Sequence, residues 1–202
     1  MISSTRFAGY DWNVLKKENG KALLVFCRSY FGNEYFYFRT NEFFRGDCSY
    51  FYERMREYLN VTFSNYIFSE NDKKHIIVVE NKYPTASWGK DDLGFSTKTF
   101  SMKAQKDRVF PLRYVDVNGL SSRDLMDIKR LEKRHRVVLL PQSIDKSQRI
   151  PTISYYEDWK TERGYQEVDG FSFDTLRKDL DDDESDYEIE VVPAIWVDSS
   201  II

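Results

Sequence analysis

Two cysteines, two histidines and thirty-three carboxylates make up most of the reactive chemistry of this 202-residue chain. A Cys-His site or a Ser-His-Asp triad would have to use His75 or His135. Neither stands in a nucleophile-bearing motif. Cys27 and Cys48 are too few for a disulfide framework or a cysteine-rich zinc site, and read as small reduced side chains. No glycine-rich phosphate fingerprint follows an apolar run, so a doubly wound nucleotide-binding fold is not expected. These patterns call for no cofactor and no metal centre.

Three constellations remain. The first is Glu80-Asn81-Lys82, at the end of the apolar run Ile76 to Val79. A strand that ends in Glu-x-Lys resembles part of the PD-(D/E)xK nuclease pattern. The resemblance covers three residues. It implies a Mg²⁺-dependent nuclease in which Glu80 and a second carboxylate hold the cation while Lys82 positions or activates the attacking water. Asp72 would be the nearest upstream acid, but it falls in a polar turn. The eight residues to Glu80 span more than about 20 Å if extended. Asp47 or Glu53 could supply the acid only through the tertiary fold.

The second is a basic stripe. On a helix starting at Ser121 or Ser122 and reaching about His135, Leu125, Ile128 and Leu131 share one face, and Lys129, Arg130, Lys133 and Arg134 share the opposite arc. This arc suits phosphates or an acidic protein surface, and has no interleaved aromatics for base stacking. The third is an acidic run near residues 179–190, with Asp181, Asp182, Asp183 and Glu184 at its centre. It contains no glycine, so an EF-hand calcium loop is excluded. Carboxylates this dense repel one another, and a cation-rich partner relieves the repulsion.

Charge is therefore polarised along the chain. Lys103 to Arg136 carries ten basic and five acidic residues, and Asp174 to Ile202 carries ten acidic and two basic. A basic face on one copy can meet an acidic face on the next, a heterologous contact able to close into a ring. The competing account is neutralisation inside one molecule. The whole chain has a net charge of −3, too balanced for bulk coating of nucleic acid, so nucleic acid is possible but not indicated. No run of about 18 apolar residues is present to span a membrane. Met1 to Tyr10 lacks the pattern of a secretory signal, so a cytoplasmic place is expected, in a host cell or virion if the protein is viral. The Phe-, Tyr-, Lys- and Asn-rich, Ala-poor balance fits an AT-rich genome, as many phages have. Aromatics at 16% of residues mean that large side chains fill much of the core.

The positioning elements follow from periodicity. Lys21 to Arg28 reads as a buried strand, with Glu34 to Arg39 as its hairpin partner across Phe31-Gly32-Asn33. Asp47 to Leu59 reads as a helix, with Asp47 as N-cap and Phe51, Met55, Tyr58 and Leu59 on its apolar face. Val61 to Phe68, His75 to Tyr83, Arg108 to Val117, Arg136 to Leu140, Ile150 to Tyr156 and Tyr187 to Val197 read as strands. Phe171 to Leu180 reads as a short helix, and residues 157–170 as irregular. Residues 84–107 are polar, hold Gly89 and Gly94, and form a long excursion. The expectation is one α+β domain over residues 1–202, a mainly antiparallel sheet flanked by two to three helices. The leading function is a non-enzymatic assembly or interaction protein, a phage or viral structural subunit of virion, neck or tail. It would self-associate or join a larger assembly of protein partners through Lys129, Arg130, Lys133, Arg134, Asp181, Asp182, Asp183 and Glu184. The alternatives are the nuclease built on Glu80 and Lys82, and an acidic decoy that inhibits a host nucleic-acid enzyme.

Overall fold

The computed structural model describes residues 2–26, 30–31, 34–35, 48–128, 135–144, 149–172 and 188–202. The fold is α+β with mainly antiparallel sheets, as expected. Two N-terminal strands that periodicity did not single out, β1 (Ser3–Phe7) and β2 (Tyr10–Glu18), form a hairpin. β3 (Lys21–Phe26) adds to β2 across the Asn19-Gly20 turn, where both residues have positive φ. The apolar run Ala22 to Phe26 is fully interior. Such a continuous run fits a strand covered on both faces. The small pair β4 (Tyr30–Phe31) and β5 (Glu34–Tyr35) does not extend this sheet. The partners of β3 are β2 and the C-terminal strand, so the expected hairpin partner is replaced by a long-range one.

The helix expected from Asp47 is α1 (Cys48–Glu57), and its predicted apolar face is the buried one: Phe51, Met55 and, just beyond, Leu59. Asp47 lies outside the described residues. The helix does not stop there. It continues through a π-helical stretch at Tyr58–Phe63 into α2 (Ser64–Ile67). Val61 to Phe68 is therefore helical up to Ile67, not a strand. Leu59, Phe63 and Ile67 are buried at i, i+4 and i+8, the spacing of one helix face, and this face outweighs the local β propensity of Val61-Thr62-Phe63. The polar turn Ser69 to Lys74 is the short α3 (Glu70–Lys73), closed by a reciprocal Ser69–Asp72 capping box.

After β6 (Ile76–Ile77) come β7 (Val79–Lys90) and β8 (Ser96–Asp107), paired over twelve rungs. The excursion at 84–107 is thus mostly β-ribbon. β9 (Phe110–Pro111) is short. β9 is all of the strand expected over Arg108 to Val117, and Tyr114 to Val117 is helix α4 (Tyr114–Val117). The helix expected from Ser121 or Ser122 is α5 (Ser122–Ile128), whose first turn is capped by Ser121; its expected continuation to residue 134 lies outside the described residues, and His135 begins a strand. A second sheet holds β10 (His135–Val138), β11 (Arg149–Asp158), β12 (Arg163–Ser172) and β13 (Glu188–Val191), in the order β12-β11-β10-β13. Residues 157–170, expected to be irregular, supply the end of β11 and most of β12, which pair through ten positions. The helix expected at Phe171 to Leu180 begins inside β12 and otherwise lies outside the described residues.

The expected terminal strand at Tyr187 to Val197 is two strands in two sheets. β13 pairs in parallel with β10, and β14 (Pro193–Asp198) crosses to the first sheet between β3, β6 and β9. Pro193 has no N–H for a continuing ladder, so the break falls where the chain changes sheets. Alternate residues of β3 and β14 feed two apolar cores. Ala22, Leu24, Phe26, Ile195 and Val197 pack with α1. Leu23, Val25, Ala194 and Trp196 pack with Leu125, Ile128, Val137 and Ile153. Trp12 is wedged between Phe26 and Phe68, with ring centroids 4.9 and 5.9 Å away. No helix among the described residues is long and apolar enough to cross a membrane.

Candidate functional site

The longest strand pair outside both sheets is the β7–β8 ribbon, whose root half packs on α1 and whose outer end is exposed. Twelve rungs at about 3.3 Å each make a ribbon roughly 40 Å long. Among the described residues no third strand pairs with either edge. Its turn is built by Asp91, whose carboxylate accepts the N–H groups of Leu93 and Phe95 at 3.0 and 2.8 Å, with Gly94 at φ 83°. The outer end carries Trp88, Leu93 and Phe95 at 71%, 81% and 68% exposure. Large apolar side chains so exposed mark contact surfaces when they cluster.

Strand alternation gives the ribbon two faces. One holds Lys82, Trp88, Lys90, Lys98 and Lys106, with the Lys98 ammonium 5.2 Å from the Trp88 ring centre and 5.6 Å from that of Phe100. The other holds a hydroxyl ladder, Thr85 bonded to Ser101 at 3.0 Å and Ser87 to Thr99 at 2.8 Å. The lysine face has four lysines and one acid, Glu80, a net of +3; the whole ribbon from Val79 to Asp107 has five lysines and four acids. The sequence signal was present: hydroxyls at 85, 87, 97, 99 and 101 recur with period two about an Asp-Asp-Leu-Gly turn. It is a polar period, so a search for apolar alternation passes over it.

The root of the ribbon is fixed by buried charge. The Asp107 side chain is fully interior, with Arg56 Nε 2.6 Å from its Oδ1. Asn60, placed by the π-helical stretch, donates to Arg56 O, Val109 O and Asp107 Oδ1, and its Oδ1 accepts from the Arg108 and Val109 N–H groups at 3.1 and 3.2 Å. Asn81 donates to Asp107 Oδ2 at 3.4 Å. Nearby, the buried Asp116 receives Arg113 through Nε and Nη2 at 2.5 and 2.8 Å, with Lys16 Nζ at 3.2 Å. Burial, and then the charge of Asp107, push the Tyr83 phenol far above its ordinary range. This root holds an oriented support but no nucleophile–base pair.

Glu80 and Lys82 lie on the root half of the lysine face, both exposed. Glu80 is opposite Lys106 and Lys82 opposite Ala104. Asp72 is committed to its capping box with Ser69. Among the described residues no group of three or more His, Cys, Asp or Glu side chains is arranged to hold a metal ion.

Lys129, Arg130, Lys133 and Arg134 lie outside the described residues, as do Asp181, Asp182, Asp183 and Glu184. The strands that follow them are described. β10 begins at His135, β13 begins at Glu188, and the two run parallel with His135 opposite Glu188. The basic and acidic runs therefore join adjacent strands at the same end, within one molecule.

A second polar centre sits on β12. The Asp169 carboxylate receives the hydroxyls of Thr152, Ser154 and Tyr156, which alternate along β11, the Ser154 bond being 3.2 Å. Burial, and then the bond to Asp169, raise the Tyr156 phenol above its usual range. Beside it is a cleft of about 320 Å³ lined by Tyr114, Gln142, Ser143 and Arg149, with Asp169 at its wall. The volume is at the small end for a ligand site. Asp169 already has three donors, so the centre reads as sheet architecture.

Compared with known proteins, the chain matches no family model, no curated sequence and no solved structure.

Proposed function

We propose that this chain is a non-enzymatic interaction protein, a subunit that assembles with protein partners through complementary charged surfaces and a projecting arm. One observation carries the reading: a two-stranded ribbon, braced at its root by ion pairs to buried aspartates, ends in Trp88, Leu93 and Phe95, all mostly exposed. An arm of this kind presents apolar anchors and open strand edges at low ordering cost, the two features that protein partners engage. The narrower form, a phage or viral structural subunit of virion, neck or tail, rests on the aromatic-rich, alanine-poor composition.

Light scattering from low to high salt tests it. Particles larger than one chain that dissociate as salt rises are the expected result, because electrostatic contacts between exposed groups are screened within about 8 Å at physiological ionic strength. A single-chain mass at every salt concentration would overturn self-assembly.

A further inference from the structure

Resting on that reading, we infer that the partner surface is the lysine-bearing ribbon and that its occupant is the acid-rich C-terminal part of a second copy of this chain. The argument is one of charge. The strands that follow the basic and acidic runs lie side by side in parallel, so the two runs enter them at one end. The basic run is the smaller. Lys129 to Arg134 carries four basic residues and one acidic, whereas Asp179 to Glu188 carries seven acidic and none basic. The acidic total exceeds the basic by four.

The ribbon has the opposite surplus. Over Val79 to Asp107 its five lysines meet Glu80, Asp91, Asp92 and Asp107, but Asp91 accepts two turn N–H groups, Asp107 is interior beside Arg56, and Glu80 is the one acid on the lysine face. Four of the lysines, at 82, 90, 98 and 106, share one face, and rungs 80–106 to 90–96 span about 33 Å. A row of cations this long meets an extended acidic segment better than it meets a point charge. The ribbon and the acid-rich run are different surfaces, so the contact is heterologous: each copy gives an arm and receives one, forming a ring or an open chain.

Two complementary variants test this. The donor-dead chain carries Lys82→Glu, Lys90→Glu and Lys106→Glu, all exposed positions on the lysine face. The acceptor-dead chain carries Asp181→Asn, Asp182→Asn, Asp183→Asn and Glu184→Gln. Far-UV circular dichroism and the thermal midpoint establish that both fold like the parent. Light scattering of each alone is expected to give a single-chain mass. Mixed, they are expected to give a two-chain particle and nothing larger, since one copy supplies only an arm and the other only an acceptor.

If the donor-dead chain still forms salt-sensitive particles, the ribbon assignment is overturned while assembly stands. If the acceptor-dead chain assembles alone, or the mixture stays at one chain, the acid-rich occupant is overturned. If the parent is a single chain at all salt concentrations, both this inference and the self-assembly it rests on fall. Titration of that parent with a fluorescent single-stranded oligonucleotide, with Lys82, Lys90 and Lys106 intact and reversed, then reads whether the ribbon serves a nucleic acid instead. Binding lost on reversal would give the ribbon that role.

Discussion

The β7–β8 ribbon and the β11–β12 hairpin are built alike and used differently. Each is a long antiparallel pair, with twelve and ten rungs. Each carries a row of hydroxyls at alternate positions, and each has exposed aromatics at its turn, Trp88 and Phe95 in one and Trp159, at 90% exposure, in the other. β11 is flanked by β10, so Thr152 and Ser154 are interior, and an aspartate collects their hydroxyls. The outer ribbon has no neighbouring strand among the described residues, and its hydroxyls bond one another in contact with water. The same side chains are therefore worth different amounts. A buried hydroxyl left without its acceptor loses the full desolvation energy, whereas an exposed one turns to solvent.

Removing the charge at the ribbon root should break the comparison most. Asp107→Ala removes the interior acceptor of the partly exposed Arg56 guanidinium, of Asn60 and of Asn81. A loss of about 3 kcal/mol is expected in urea unfolding, in line with losing several hydrogen bonds to a buried carboxylate. Amide exchange should quicken in the ribbon before the β11–β12 hairpin. Equal acceleration in both would mean that the root does not brace the arm.

Asp169→Ala comes next. Three hydroxyl donors lose one acceptor, and about 2 kcal/mol should disappear, concentrated in the second sheet. An unchanged urea midpoint would show that the hydroxyls find other partners.

Alkali sharpens the contrast further. The unfolded-state tyrosine titrates near pH 10, whereas folded Tyr83 and Tyr156 hold their protons to higher pH. Above about pH 10 the unfolded chain binds fewer protons than the folded one, so stability falls as pH rises. Tyr83 is the more deeply buried, and the urea midpoint of Tyr83→Phe should fall less between pH 9 and 11 than that of the parent. An identical fall would remove Tyr83 from the alkaline transition.

The smallest effect belongs to the outer ladder. Ser87→Ala with Thr99→Ala removes a 2.8 Å exposed hydroxyl bond and should change stability by no more than about 0.5 kcal/mol. A loss near that of Asp169→Ala would mean that the ribbon is covered in solution.

The legible parts of the sequence were those with an apolar period. Ala22 to Phe26 is buried without interruption. Phe51, Met55 and Leu59 trace a helix face, and Ser121 caps the helix that buries Leu125 and Ile128. Periodicity failed where burial is absent or shared. β8 and β12 expose many of their polar side chains and show no apolar alternation, so they read as loops. Val61 to Phe68 looked like a strand because β-branched and aromatic residues suit a pleated surface, yet Phe63 and Ile67 extend the apolar face of the helix before them. Gly164 was only one of two glycines in a charged stretch. In the fold the Tyr155 ring lies across it, and any Cβ there would collide with the phenol.

The candidate site divides in the same way. The charge surplus of the acidic run, the lysines of the ribbon and the turn residues at 91–94 are properties of the chain, fixed by residue type and short-range geometry. That the basic and acidic runs enter neighbouring parallel strands was decided by the pairing of β10 with β13, some fifty residues apart. So was the bracing of the ribbon by Arg56, Asn60 and Asp107, brought together by a helix and a hairpin that share no local pattern. Local sequence sets what a segment can pair with. Which segment it meets is set by burying two apolar cores at once, an energy that exists only when the whole chain has closed.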